Sequence, residues 1–359
     1  MPWIPSLRDN HGPTGTAGRI AEVPPEREAQ TLLPLCPRCA GSRDQKRDRP
    51  MSFLVELSEN AYPKDALRGL EATSEFRLDN ARRMMWMSQL AYETANKSKV
   101  KRILESWHLE TRAFVSNDPI TGLPPHSACV VVAGGRGATI VALAGTDPLK
   151  IEDWITDFTI DPPSVTDLHS GFEAAVETVW QKIRGVIENR PPSEQALFFT
   201  GHSLGGALTI IAAERAMQKA KATAVYTFGS PRTGGIAFFS SYTPQLGDCT
   251  FRLVHGTDVV ATVPPSLGGQ FRHVGRAIQC PTDGVFDAQP QIQSRDGNEP
   301  DLAASVVESA LADFRALAFF RFIRRIGPRP LDRLSGLLPR MVRDHVPGNY
   351  FRALLITLK

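Results

Sequence analysis

The chain has 359 residues, 42% of them apolar, and a formal net charge of +3. That length holds one large or two ordinary domains with a sizeable core, and so even a charge balance excludes nucleic acid as the expected partner. Its five cysteines are odd in number and scattered, which excludes a disulfide framework, and no run of about eighteen apolar residues marks a membrane span.

Residues 1–50 carry eight of the chain's 28 prolines and the charge cluster GSRDQKRDRP, with no apolar period. They read as a disordered leader, with Met51 as an alternative start, and residues 51–359 read as the folded domain. The leader contains Cys36-Pro-Arg-Cys39, a lone CxxC without the further ligands that a zinc site needs. No charged-then-apolar secretory leader is visible, so a cytoplasmic location is the default expectation.

From 78 to 110 the text is helical. Leu78, Ala81, Met85, Met87 (or Trp86), Leu90 and Ala91 recur at three-to-four spacing, and Asp79 or Asn80 is available to cap. The Met-rich face reads as core. SACVVVAG (127–134) and ATIVALAG (138–145) read as adjacent strands across a Gly-Arg-Gly turn. A helix at 172–190 is stopped by Pro191 and Pro192. Then come a strand in QALFFTG, a helix in GALTIIAAERAMQKA, a strand at 222–229 and another at 250–256. This alternation predicts a mainly parallel central sheet covered by helices. Residues 282–300 read as a loop and 302–343 as a basic helical insertion. DHVPGNYFRALLITL closes as a loop leading into a last helix.

Between the strand QALFFTG and the helix that follows stands Gly201-His202-Ser203-Leu204-Gly205, a G-x-S-x-G pentapeptide in the strand–turn–helix context that gives it meaning. A sharp turn there strains the serine backbone. It also brings the residues two places on either side into collision unless they lack side chains. The turn lifts the hydroxyl out at the carboxyl end of the sheet, beside a helix N-terminus that favours developing negative charge. A hydroxyl is a weak nucleophile at neutral pH and needs a base, usually histidine oriented by a carboxylate. With the chain order Ser, acid, His, Asp258 at the end of the 250–256 strand is the expected acid. Two histidines follow it. His273 lies inside an apparent strand in QFRHVGRAI. His345, in a loop before the closing helix, is the better placed base. His202 is expected to point away from the nucleophile, His255 precedes the acid on the same strand, and His169 reads as structural.

These segments together resemble the class 3 lipases, the fungal triacylglycerol-lipase-like branch of the α/β hydrolases. The resemblance runs through IVALAGTDPLKIEDWITDF, LHSGFEAAV, TGHSLGGALTIIAA, VYTFGSPRTGG, RLVHGTDVVATVPP, FRHVG and DHVPGNYFRAL. It implies an α/β-hydrolase fold with Ser203 as nucleophile, Asp258 as acid and His345 as base. It implies an oxyanion hole made by Thr146 and the backbone amide of Leu204, and a lid at about 147–158 with Ile151, Trp154, Ile155 and Phe158 on its apolar side. The implied activity is serine carboxylic ester hydrolysis of lipid-like acyl esters, with no metal or organic cofactor. Phospholipase A1, a short-chain esterase and a catalytically silent lipase-like interaction protein are the alternatives. Where the family commonly has arginine two residues before the hole residue, this chain has Ala144.

The basic insertion holds Arg315, Arg321, Arg324, Arg325, Arg329, Arg333, Arg340 and Arg343 against Asp313 and Asp332, with phenylalanines interleaved. That composition fits a helix packed on the domain with its arginines exposed. It also fits peripheral contact with a lipid interface.

Overall fold

The computed structural model describes residues 57–116, 128–144, 167–264, 271–290 and 340–356. All of them lie in one compact unit, Pro50–Lys359. The leader at 1–50 with Cys36 and Cys39, the lid positions Ile151, Trp154, Ile155 and Phe158, the hole residue Thr146, and the basic insertion up to residue 339 lie outside the described residues.

The framework is a seven-stranded sheet whose strands pair in simple chain order. They are β1 (Glu110–Val115), β2 (Cys129–Gly135), β3 (Ala138–Ala144), β4 (Ala196–His202), β5 (Ala224–Phe228), β6 (Thr250–His255) and β7 (Arg276–Cys280). β1, β2 and β3 pair antiparallel, and β3 to β7 run parallel. Runs such as VVVA in β2 and ALFF in β4 are apolar at every position because both faces of the sheet are covered. On one face Val131, Ala133 and Phe198 pack with α1 (Leu78–Tyr92) and α2 (Lys97–Ser106). On the other Val130, Val132, Leu197 and Phe199 pack with α3 (Ser170–Glu188), α4 (Leu204–Ala216) and α5 (Ile236–Leu246). α3 shows the expected stripe, with Phe172, Val176, Val179, Ile183 and Ile187 buried at helical spacing.

The parallel register aligns the carboxyl ends of the strands. Ala144 pairs with His202, His202 with Phe228, Phe228 with Leu253, and His255 with Cys280. The residues just beyond these ends therefore gather along one edge. Two short helices, α6 (Arg340–His345) and α7 (Pro347–Ala353), complete the described chain, and α7 buries Tyr350 and Phe351 against the α1 side of the core. No helix among the described residues is long and apolar enough to cross a membrane.

Three local expectations give way. The helical text at 78–110 breaks after Tyr92 into a 3-10 turn, Glu93–Ala95. The break is held by the buried Glu93 carboxylate, which accepts from Tyr62 Oη at 2.8 Å and Lys99 Nζ at 2.7 Å. Asn96 then caps α2 by accepting from the Lys99 N–H at 3.1 Å, and the end of the stretch runs into edge strand β1. Neither Asp79 nor Asn80 caps α1; Arg77 holds that position. Asn80 is buried instead, its amide bridging the N–H and carbonyl of Glu71 at 3.1 and 2.9 Å. His345 closes a short helix rather than lying in a loop.

Candidate active site

β4 ends at His202 and α4 begins at Leu204, so one residue makes the whole turn. Ser203 takes φ 59° and ψ −133°, a backbone conformation that costs about 1–3 kcal/mol in a residue with a side chain. Its N–H donates to the Phe228 carbonyl at 2.8 Å, tying the turn to the end of β5. The flanking glycines are required by contact. A Cβ on Gly201 would strike the Gly205 carbonyl, and one on Gly205 would strike the Leu143 carbonyl. Both obstacles are backbone and have no rotamer by which to yield.

The turn aims Ser203 Oγ at His345 Nε2, 2.9 Å away. On the other side of that ring Nδ1 lies 2.9 Å from each Asp258 carboxylate oxygen. Nδ1 therefore carries the proton, and Nε2 is left to accept from the serine hydroxyl. Asp258 is buried and fixed twice more: Oδ1 accepts from the Val260 N–H at 2.9 Å and Oδ2 from the Tyr350 hydroxyl at 2.6 Å. Burial, together with the Asp258 charge, holds the Tyr350 hydroxyl well above its ordinary pKa, so it remains a donor. Its oxygen in turn accepts from the His255 N–H at 3.2 Å. Asp344, beside the base, clamps the main chain to the ends of β6 and β7. Its Oδ2 accepts from the Thr257 N–H at 2.8 Å, Thr257 Oγ1 at 3.1 Å and Thr282 Oγ1 at 2.9 Å.

Leu204 is the first residue of α4, where a backbone N–H has no intrahelical acceptor. His273 stands apart from this group. It precedes β7 rather than lying in a strand, and Nε2 donates to the Ala261 carbonyl at 2.7 Å. His169 holds the N-cap position of α3, and its ring packs on Phe172 at 4.6 Å. The His202 ring turns to Tyr92 and to the His345 carbonyl. It makes no bond to the nucleophile, but it stacks on His345 with centroids 4.8 Å apart. The strand sends it to the face opposite Ser203, where α6 brings the base down beside it. Sequence reasoning missed Tyr350, Asp344 and Tyr92. The closing DHVPGNYF stretch carries the first two, and only the fold gives them partners.

His202 is fully buried. Burial first, and the nearby His345 second, push its pKa down to about 3 from 6.5. A depressed histidine contributes stability that is present above pH 6.5 and is lost as pH falls toward 3. The slope is about 1.4 kcal/mol per pH unit, since the unfolded chain binds the proton that the folded one refuses. Denaturant midpoints at pH 7, 5 and 4 should fall more steeply for the unsubstituted chain than for His202→Gln. Parallel slopes would show that His202 is not the group responsible.

Comparison with known proteins bears on the same residues. Residues 140–268, which contain Ser203 and Asp258, match the family model for lipase (class 3). A secreted mono- and diacylglycerol lipase of Fusarium solani is 32% identical over 153 residues, 41% of this chain and 45% of that protein. Residues 140–268 are thus a class 3 lipase segment. Another relative, the chloroplastic phospholipase A1 PLIP1 of Arabidopsis thaliana, is 27% identical over 281 residues, 67% of this chain and 40% of its own length. The chain thus spans less than half the length of either relative. The solved structure of a mono- and diacylglycerol lipase from Aspergillus oryzae superposes with a TM-score of 0.51 at 21% identity. It covers 67% of this chain and 94% of that one, and identifies the fold as that of the α/β-hydrolase lipases.

Proposed function

We propose that this chain is a serine carboxylic ester hydrolase of the class 3 lipase type, acting on lipid-like acyl esters through an acyl-enzyme. The observation that carries the reading is the continuous chain Ser203 Oγ, His345 and Asp258, linked at 2.9 Å at each step on a strained strand-to-helix turn. Ser203 Oγ attacks the ester carbonyl carbon as its proton passes to His345 Nε2. Asp258 orients the imidazole and stabilises the imidazolium. The carbonyl oxygen becomes an oxyanion facing the Leu204 N–H, with Thr146 as the second donor by family resemblance. Each such donor lowers the barrier by about 3 kcal/mol. The C–O bond breaks as His345 returns the proton to the leaving alcohol. Water then loses a proton to His345, attacks the acyl carbon and releases the acid with Ser203 restored.

Glycerides are the favoured substrates because the fungal relative of higher identity carries that name; phospholipid is the second reading, supported by the plant relative. A fluorophosphonate probe followed by peptide mass spectrometry should place one adduct on Ser203, blocked by prior incubation with ester. Dibutyrylglycerol should then be hydrolysed faster than dibutyryl phosphatidylcholine. An adduct elsewhere would overturn the nucleophile, and the opposite order of rates the glyceride preference.

A further inference from the structure

The ring stacked behind the base has a built set of partners of its own. His202 Nε2 lies 2.9 Å from the main-chain carbonyl of His345, and a carbonyl only accepts, so Nε2 carries the hydrogen. Nδ1 of the neutral ring is then an acceptor, and the Tyr92 hydroxyl stands 3.0 Å from it. The same hydroxyl lies 3.1 Å from the His202 carbonyl. Tyr92 meets the His202 ring edge-on at 6.0 Å, and Tyr350 meets it edge-on at 5.6 Å. Tyr92 is the last residue of α1, just before the turn that the buried Glu93 holds in place. A firmly packed element thus ends on a hydroxyl whose one hydrogen is shared between the His202 ring and the His202 carbonyl, while the His345 carbonyl fixes the tautomer. That tautomer in turn grips the backbone of the base.

We propose that Tyr92 and His202 form a positioning pair that holds His345 at hydrogen-bonding distance from Ser203, an inference that rests on the reading of His345 as the base. His345 reaches the site at the end of a six-residue helix, and a short helix fixes its last residue weakly by itself. Its side chain is held by Asp258 and its preceding residue by the Asp344 clamp. The His202 bond to its carbonyl supplies a third, independent point and so fixes the plane of the peptide from which the imidazole projects. Displacements near 1 Å are enough to lose about 100-fold in rate when the reacting groups depend on such geometry. A neutral ring also suits this place, because His345 becomes a cation during turnover and a second positive charge stacked on it would oppose that step.

The test uses the full chain and a soluble ester, p-nitrophenyl butyrate. His202→Leu should lower kcat by about 100-fold while KM stays within roughly twofold, since the pair touches the base and not the substrate. His202→Gln, which retains a donor, should recover part of that loss. Tyr92→Phe keeps the ring and removes the hydroxyl, and should lower kcat roughly fivefold, the equivalent of one ordinary hydrogen bond. If His202→Leu does not fold, Tyr92→Phe carries the test alone. Ser203-dependent turnover with unsubstituted kcat in the folded variants overturns the positioning role and leaves the proposed function standing. Turnover that survives in Ser203→Ala overturns the proposed function itself, and the positioning pair with it.

Discussion

Ser203→Ala is expected to lower ester turnover by on the order of 10⁵-fold while the protein remains folded. The substitution removes one oxygen from a turn whose shape is set elsewhere, by the Phe228 carbonyl and the glycine contacts of the elbow. His345→Ala should cost a similar factor, and the double substitution hardly more than either alone. A nucleophile without its base and a base without its nucleophile are equally idle. Initial rates on p-nitrophenyl butyrate, with denaturant midpoints alongside, provide the check. Losses that multiply in the double variant would mean that the two residues act in separate steps.

The second large effect is expected at Gly229, a residue with no polar atom in its side-chain position. It follows β5 with φ +58°, and its N–H donates to the Leu253 carbonyl at 3.0 Å. A Cβ there would press on Asp258 Oδ2 while standing 2.9 Å from Tyr350 Oη and 3.0 Å from His345 Nδ1. Gly229→Ala should therefore wedge apart the acid and the base, cutting kcat/KM by about 10³-fold. It should also destabilise the fold by about 1–2 kcal/mol through the left-handed backbone alone. Stopped ester assays and thermal melts would read the two losses separately. Near-unsubstituted turnover would mean that the carboxylate has room to retreat, and that its contact with His345 is less confined than the packing implies.

The fold and the elbow were legible in the sequence for physical reasons. Residues such as Val130–Val132 and Phe198–Phe199 are buried on both faces, so their strands announce themselves as unbroken apolar runs. The glycines around Ser203 announce a turn that tolerates no side chain. Edge strand β1 was illegible because only one flank pairs; its sequence ETRAFV alternates in burial without a strong apolar face. The break after Tyr92 was illegible because a tertiary network around Glu93, assembled from residues 57, 62 and 99, overrides helical spacing. Around the site, residue types and chain order pointed to Ser203, Asp258 and His345 before any distance was available. Tyr92, His202, Asp344 and Tyr350 act through partners 87 or more positions away in most of their contacts, and no local pattern encodes such a meeting.

Asp344 has a consequence for how this chain tolerates change. Its carboxylate accepts directly from Thr282, a residue 62 positions earlier. The two ends of the intervening segment therefore meet at this hydrogen bond, and just past Thr282 the chain is tied again, where Phe286 is buried in the core and its N–H donates to the Ala353 carbonyl at 2.9 Å. The entropic cost of lengthening such a closed loop is small, about 0.6 kcal/mol for each doubling. Length added between Phe286 and the two closing helices should therefore cost little stability, a natural port at which a lineage or an engineer can insert a module while the hydrolytic centre stays where it is.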